Sequence, residues 1–549
     1  MSVLRFFRTV RFLQARQVTA RVLMALPARV IPQNSKKYIA CEPVSKWTSF
    51  KINIDRINNN GEFVFLNRRK KVEFPIDWQP DSEVLLWKYN LHYFDDLQAV
   101  NAEKRSALHQ RMLCDWVTAN QNIRELGWSP YPTSLRIVNV LKTWLDGTPI
   151  PDTIMQNVAL QAEVLSKRLE THLLANHYFA NLKALLFAGL VFGNYSWKSL
   201  ALRELVEQLR EQILPDGSHC ELSPMYHGAV LVDVLDIINI LRAYEEAESA
   251  TLLNMLEEAA VNQLVFLDLM THDNGDLAGF NDCAGGVIPP VDRIYQYARQ
   301  LNIPESNSEK GGSLQVNDLR HSGYVVCRRG RDKLIFDAGP IGYASNPGHA
   351  HADTLSFELS INSKQAIVNC GTSEYEKTER RYWERGTQSH SVVQIGEHDS
   401  SEVWSTFRVG RRASVLERQV TIASDSALLS AKHNGYERLG KRREVARSLK
   451  FGKGYLIIQD SVSAMKSGWV SRFHFHHEAN LEITGHKLVI DRDAFSLKVN
   501  LAGMRYQIKN FEHGIEFGML RSAKALEIFA ESTRVELRFE WETNLDLTL

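Results

Sequence analysis

Residues 347–361 read PGHAHADTLSFELSI, and from Thr354 onward they alternate between polar and apolar. In an extended chain alternate residues share a face, so Leu355, Phe357, Leu359 and Ile361 form the buried side of a β-strand. His349, His351 and Asp353 are in phase with that side, at the lip where it leaves the sheet. Imidazoles in such a place need a hydrogen bond, a metal or a reacting partner. The i, i+2 spacing suits three readings equally: structural hydrogen bonding, metal ligation completed by His390 and Asp337, or direct catalysis.

Working outward, the same period of two recurs from about residue 320 in SGYVVCRRG, DKLIFDAG, QAIVNCG, ALLSAKH, GYLIIQDSV, SRFHFHHE, LVIDR and KALEIFAE. Upstream, between about 103 and 301, the spacing is helical. Phe179, Leu182, Leu186 and Leu190 make one stripe, and Val230, Val234, Ile237 and Leu241 another. About eight helices joined by short turns predict antiparallel helical hairpins in a bundle or ring. The pattern predicts an α+β multidomain chain, with a lead-in over 1–84, a helical domain over 85–302, a Gly/Ser/Asn-rich linker over 303–318 and an antiparallel β domain over 319–549.

The 549 residues are 44% apolar and 23% charged, with formal net charge +1 and pI near 7.7. No basic field of the kind that dominates nucleic-acid binding is present, so an acidic partner must be recognised locally. Cysteines 41, 114, 220, 283, 327 and 370 form no C-x-x-C pair, which excludes a zinc ribbon or a small disulfide scaffold.

The first 40 residues carry Arg5, Arg8, Arg11, Arg16, Arg21, Arg29, Lys36 and Lys37 and no acid. Val3, Phe6, Phe7, Val10 and Leu13 share one helix face. Arginines interrupt every apolar run, so there is no signal-peptide core and no span, which points to the cytoplasm. The expected basic amphipathic helix either packs on the body with its arginines in solvent, the favoured reading, or lies on a membrane surface.

Two polar intrusions mark the helical half. In LPDGSHCELSPMYHGAVL, Ser223 is a plausible N-cap with Pro224 at the first helical position, which sets Tyr226 in the first turn. A phenol held there suits a proton donor, and packing against the preceding loop is the structural alternative. In LLANHYFANLKAL, Asn176 and His177 open an apolar helix, where Asn is a common cap and a lone His is more often structural.

Six stretches in order from Trp87 to Ala413 together resemble the heparinase II/III family of polysaccharide lyases, related to oligo-alginate lyases. They are WKYNLHYFDDL, PYPTSLRIVNVLKTW, LLANHYFANLKALLFAG, DGSHCELSPMYHGAVLVDVLDI, PGHAHADTLSFELSI and HDSSEVWSTFRVGRRA. The resemblance implies an (α/α) toroid followed by an antiparallel β-sandwich, a site at their seam, and β-elimination on an acidic polysaccharide. That chemistry needs a neutraliser for the uronate carboxylate, a base for the C5 proton and an acid for the departing O4. By resemblance Asn176 is the neutraliser, and His177 is its support or a stereochemistry-dependent base. Tyr226 is the acid, and could serve as base too, while His349 assists from the sandwich. Tyr131, Arg136 and Glu221 stand in matching blocks as sugar contacts.

Some relatives hold a structural zinc that the resemblance places at His351, His390 and position 369, where this chain has Asn369 in place of the usual Asp. A neutral amide is the poorer ligand. Catalysis requires no cofactor in this reading, and the family alternative for location is the periplasm or cell envelope. Two other classes compete. One is a non-catalytic binder of acidic glycans in a polysaccharide assembly system; the other is a metal-dependent hydrolase using His349, His351 and Asp353.

Overall fold

Leucine, alanine and valine at helical spacing fold the first half into helices that each bury one stripe. The computed structural model describes residues 3–25, 37–305, 311–440, 443–463 and 468–543. Within them the helical domain comprises Leu85–Tyr93, Ser106–Ala119, Pro130–Leu145, Asp152–Ser166, Ala175–Val191, Tyr195–Gln212, Pro224–Tyr244, Ala250–Leu269 and Val291–Gln300. One apolar cluster joins them, with Phe179, Leu186, Val234 and Leu241 at its centre as the stripes predict. Glycine 189 lets two of these helices approach closely, because a Cβ there would meet the Lys198 backbone nitrogen at 2.6 Å. Pro224–Tyr244 is long and apolar enough to cross a membrane, but 78% of its most apolar window is buried, as in a core helix.

A ladder of buried charges ties three helices together. Lys142 of Pro130–Leu145 reaches Asp236 of Pro224–Tyr244 at 2.7 Å, and Lys183 of Ala175–Val191 reaches Asp236 at 2.6 Å and Asp233 at 2.7 Å. The Tyr297 hydroxyl donates to Asp236 from a fourth helix at 2.9 Å.

The second half forms two antiparallel sheets. One runs in the order Arg505–Glu516, Met519–Ala530, Trp469–Phe475, Lys364–Val368, Phe357–Ile361, Asp332–Asp337, Tyr324–Arg329, Leu314–Asp318, with Val393–Ile395 also paired to Trp469–Phe475. The other runs Val415–Ile422, Ser426–His433, Val445–Gly452, Tyr455–Val462, Arg534–Thr543, Phe495–Asn500, Lys487–Arg492, Asn480–Thr484. Phe357, Phe473, Leu449, Ile458 and Phe539 lie in the one core between them. Tyr455–Val462 alternates buried and half-buried residues as a one-face strand should. Phe357–Ile361 is buried on both faces, since the helical domain covers its outer side: His272 contacts Glu358 at 2.8 Å and Ser360 at 2.8 Å. The fold is thus the helical toroid and β-sandwich expected. The first sandwich strand, Leu314–Asp318, lies inside the stretch read as linker, part of which (306–310) falls outside the described residues.

Two sequence expectations change here. The strand expected from Thr354 begins at Phe357, and Leu355 has φ of 72°, so His349, His351 and Asp353 sit on a loop and no strand phase governs them. The N-terminal basic helix is two helices, Val3–Val10 and Ala15–Ala25, docked across both domains. Arg8 pairs with Glu402 at 3.1 Å, Trp404 donates to Thr9 at 3.1 Å, and Arg16 pairs with Glu211. As the favoured reading has it, the segment packs on the body with Arg5, Arg11 and Arg21 exposed, but Arg8 and Arg16 are paired, and Leu4, Phe6 and Phe7 are 64%, 41% and 63% exposed. Arg29 and Lys36 of the basic run lie outside the described residues.

Burial alone would raise the Asp236 carboxyl, but Lys142 and Lys183 outweigh it and hold its pKa at about 2, below its ordinary 3.8. Its contribution to stability is therefore complete above pH 3.8 and is lost as pH falls towards 2. Asp236→Ala should cost about 3–5 kcal/mol, because it takes the buried Lys142 ammonium's ion-pair partner and one of the two that hold Lys183. Urea unfolding at neutral pH checks this, and a midpoint equal to wild type would refute it.

Candidate active site

Three of the helices joined by the charge ladder also carry the predicted polar residues. Tyr226 stands in the first turn of Pro224–Tyr244, where Ser223 caps the helix by accepting from the Tyr226 amide at 3.3 Å and Pro224 takes the first position. This is the local structure the sequence predicts. Asn176 and His177 lie in the first turn of Ala175–Val191, but Asn176 is not a cap. The N-cap position is Leu174, without a side-chain bond, and Leu174 and Ala175 both have positive φ, 65° and 48°. Instead Asn176 Nδ2 donates to Glu221 Oε2 at 2.6 Å. A flipped amide would set oxygen against carboxylate, so this orientation follows from the partner. Its Oδ1 is buried with no partner, an open acceptor in the site.

His177 Nδ1 contacts Glu170 Oε1 at 3.2 Å, and Asn181 one turn later donates to the other Glu170 oxygen at 3.1 Å. Burial pulls the His177 imidazole down, but the Glu170 carboxylate outweighs it and the net shift is upward. The Tyr131 ring lies 4.5 Å from the His177 ring.

Across the seam, Asp282 gathers three groups on one buried carboxylate. His349 Nδ1 meets Oδ2 at 2.9 Å, His351 Nε2 meets Oδ1 at 2.8 Å, and Arg381 pairs with both oxygens, Nη2 to Oδ2 at 2.7 Å. Burial would raise the Asp282 carboxyl, but Arg381 and the two histidines hold it well below the carboxylate range. It is therefore ionised and can only accept, so His349 carries its proton on Nδ1 and His351 on Nε2. The lone pair of His349 is left on Nε2, 3.8 Å from Glu221 Oε1. The Tyr226 ring packs on the His349 ring, centroids 3.9 Å apart, and its hydroxyl lies 3.0 Å from that of Tyr375. Burial, then Tyr375 and Asp282, push the Tyr226 phenol well above 10; burial and Asp282 do the same to Tyr375.

The fold thus brings Asn176, His177, Tyr226 and His349 together, linked through Glu221 and Asp282. A cavity of about 340 Å³ opens beside them, lined by Tyr131, Tyr226 and Tyr375 from the two domains and by Arg56 from the lead-in. Two sugar-contact expectations are corrected. Arg136 is 1% exposed, and its donors go to Gln161, the His92 carbonyl and the Gly127 carbonyl at 2.8–2.9 Å, with its guanidinium 3.9 Å from Trp116; it braces helices and reaches no cleft. Glu221 is buried behind Asn176 and acts through that amide. Sequence reasoning missed Asp282, Tyr375, Arg381 and Glu170. Only Asp282 left a signal, in the polar, glycine-rich FNDCAGG loop.

Asp353, which one reading made a ligand beside His349 and His351, lies against Asp337 instead; burial, then that neighbouring carboxylate, raise its pKa well above the usual range. The trio expected for zinc is adjacent in space: His351 and His390 rings are 5.2 Å apart, and His390 Nδ1 is 3.1 Å from Asn369 Oδ1. His351 Nδ1 and Asn369 Nδ2 are buried without partners. The donor chemistry nevertheless does not fit a tight zinc site. His390 Nε2 is taken by the Glu384 carbonyl at 3.1 Å, the third donor is a neutral amide, and the Arg381 and Arg385 guanidiniums add positive charge around His351.

Comparison with known proteins places both halves. Residues 97–285 match the family description "Heparinase II/III N-terminus" and residues 312–536 match "Heparinase II/III-like, C-terminal". A heparin-sulfate lyase of Pedobacter heparinus is 24% identical over 365 residues, 58% of this chain and 54% of the relative, so the match spans about half that protein's length. The FtsZ-localized protein C of Caulobacter vibrioides is 23% identical over 426 residues, 72% of this chain and 70% of that one. A crystal structure of heparinase III superposes with a TM-score of 0.69 at 15% identity, over 96% of this chain and 89% of the other, a likeness of fold.

The zinc argument is open to direct measurement. Purified protein should carry well under one zinc at the His351–Asn369–His390 trio, and Asn369→Asp should raise both occupancy and melting temperature. Elemental analysis of wild type, His390→Ala and Asn369→Asp after chelator dialysis decides it: stoichiometric zinc that wild type retains and His390→Ala loses would show that the amide suffices.

Proposed function

Since the chain belongs to the heparinase II/III family, we propose that it is a polysaccharide lyase that cleaves a polymer containing 4-linked uronic acid by β-elimination, leaving a 4,5-unsaturated uronate end, in bacterial exopolysaccharide or capsule metabolism. The observation that carries this reading is the Tyr226–His349–Asp282 arrangement, a phenol kept protonated and packed on an imidazole whose tautomer is fixed.

The steps follow from the geometry. Asn176, clamped by Glu221, retains a second amide hydrogen to donate to the uronate carboxylate, which lowers the charge that opposes loss of the C5 proton. His349 Nε2 carries the lone pair that accepts that proton, and the imidazolium that forms is stabilised by Asp282 on the far nitrogen. The raised Tyr226 phenol is a donor at neutral pH, which suits protonation of the departing O4, and Tyr375 orients it. The same shift disfavours Tyr226 as base. His177, made more basic by Glu170, is the base for the opposite C5 stereochemistry. Every proton is thereby held and moved by side chains of this chain. Tyr131 and the cavity beside it supply a stacking wall for the sugar. The exposed Leu4, Phe6 and Phe7 beside Arg5 and Arg11 support contact with a membrane surface by the N-terminal helices.

A panel of acidic glycans, followed by the ultraviolet absorbance of the unsaturated uronate, tests the reading. Absorbance on none of them with retained binding would favour a glycan-binding protein, and cleavage without absorbance a hydrolase. On the active polymer, Tyr226→Phe should lower kcat by at least ~10²-fold while costing about 1 kcal/mol or less in stability, since only a hydroxyl is removed. Asn176→Ala should lower kcat by roughly 10²–10³-fold. Wild-type turnover in a folded Tyr226→Phe protein would remove the phenol from the mechanism.

A further inference from the structure

The SRFHFHHE segment carries histidines that the elimination chemistry does not use. Trp469–Phe475 is an inner strand of the larger sheet, and the chain runs on from it through His476 and His477. His513 lies on Arg505–Glu516, two strands away across Met519–Ala530. The three rings nevertheless converge: centroids are 4.1 Å apart for His476–His477, 5.5 Å for His476–His513 and 5.4 Å for His477–His513.

We propose that His476, His477 and His513 form a binding site for a divalent transition metal ion of the zinc class, separate from the lyase site and from the His351–Asn369–His390 trio. One ring nitrogen of each histidine lies within 4.8 Å of the other two. The Nδ1 atoms of His477 and His513 are 3.3 Å apart. Two nitrogens on a tetrahedral zinc at ~2.0–2.1 Å stand ~3.3–3.4 Å apart, so this edge needs no adjustment. His476 Nδ1 accepts only from the Glu478 amide at 3.2 Å, a long contact that a metal bond would replace.

Electrostatics keep the donors ready. Imidazole is mostly neutral at pH 7, so all three rings are ligand-competent there. The cations around them are largely matched: Arg492 is paired with Glu478 and Arg380 with Glu384, while Asp276 faces His477 and offsets Arg521. Glu478 Oε2 lies 3.9 Å from His476 Nδ1 while paired with Arg492, so it would enter as a fourth, anionic ligand by giving up that pair. His477 and His513 are half-buried, so the site is open to entry. Here three imidazoles and a neighbouring carboxylate meet, where the other trio offers two imidazoles, an amide and flanking guanidiniums.

The ion would join two strands that are not neighbours. The His513 strand continues to Gly514, whose amide donates to the Cys370 carbonyl at 2.7 Å, and on to Phe517, whose ring lies 4.8 Å from that of Tyr375. Metal at His513 thus stiffens the strand that backs the Tyr375 phenol.

Titration of the chelator-treated full chain with Co²⁺ tests this directly. Wild type should take up one Co²⁺ with the intense visible bands of tetrahedral nitrogen ligation, and added Zn²⁺ should displace it and raise the melting temperature with concentration. His477→Asn, a change at a half-buried position, should weaken uptake by about tenfold or more, as should His513→Gln, whereas His390→Ala should leave the bands in place. Wild type without Co²⁺ bands at millimolar metal, or bands that survive in folded His477→Asn and vanish in His390→Ala, would overturn the proposal.

Discussion

The seam between the two domains depends on the single ionised carboxylate of Asp282. It sits fully buried with a bidentate guanidinium and two imidazoles around it. Removing Arg381 would leave a bare buried anion, and removing Asp282 would leave a bare buried cation, so neither is replaceable alone. The pair also fixes direction. Because an ionised carboxylate only accepts, it decides which nitrogen of His349 holds the proton, and thereby which nitrogen faces the cleft with a lone pair. Stability of the interface and the tautomer of His349 come from the same group.

The backbone around the site is held in strained conformations. Positive φ occurs at Leu174 and Ala175 before Asn176, at Leu222 after Glu221, and at Asn281 before Asp282. Non-glycine residues in that region cost of order 1–3 kcal/mol each and persist only where the surroundings over-determine them. The surroundings are visible: the Asn281 side chain donates to the Leu222 carbonyl at 2.9 Å and accepts from the His351 amide at 3.0 Å, while the Lys142–Asp236–Lys183 ladder locks the three helices. At Gly371 the constraint is steric, since a Cβ would stand 1.9 Å from the Gly514 carbonyl oxygen, and this close approach sets the loop that carries Tyr375.

What the sequence makes legible follows from locality. Helix stripes, the change of period and the Ser223-Pro224 start are encoded within a few residues, and all three are present in the structure. The resemblance, carried by six ordered blocks, located residues that the fold does assemble. Partners far apart in sequence were not legible: Asp282 with Arg381, Glu170 with His177, Tyr375 with Tyr226. Arg136 looked like a sugar contact because a buried arginine and a substrate-binding one have the same letter and the same neighbours in sequence. Only its spent donors distinguish them. The strand phase of His349 and His351 failed for a related reason, as alternation continues in print through a loop where the backbone no longer alternates.

Burial and the Asp282 carboxylate then divide the proposed chemistry between acid and base. Burial pushes the Tyr226 phenol up, since desolvation favours the neutral form, while the Asp282 carboxylate fixes the tautomer of His349. For Tyr226 the neutral form is the proposed acid, and the group touching its hydroxyl is another phenol. For His349 the neutral form is the proposed base, and the Asp282 carboxylate on its far side would compensate the charge it takes on. The two rings pack at a tilt of 32° with centroids 3.9 Å apart, so in the proposed elimination a sugar bound against both would meet a donor and an acceptor at once. The proposed elimination needs that simultaneous pair of proton donor and acceptor.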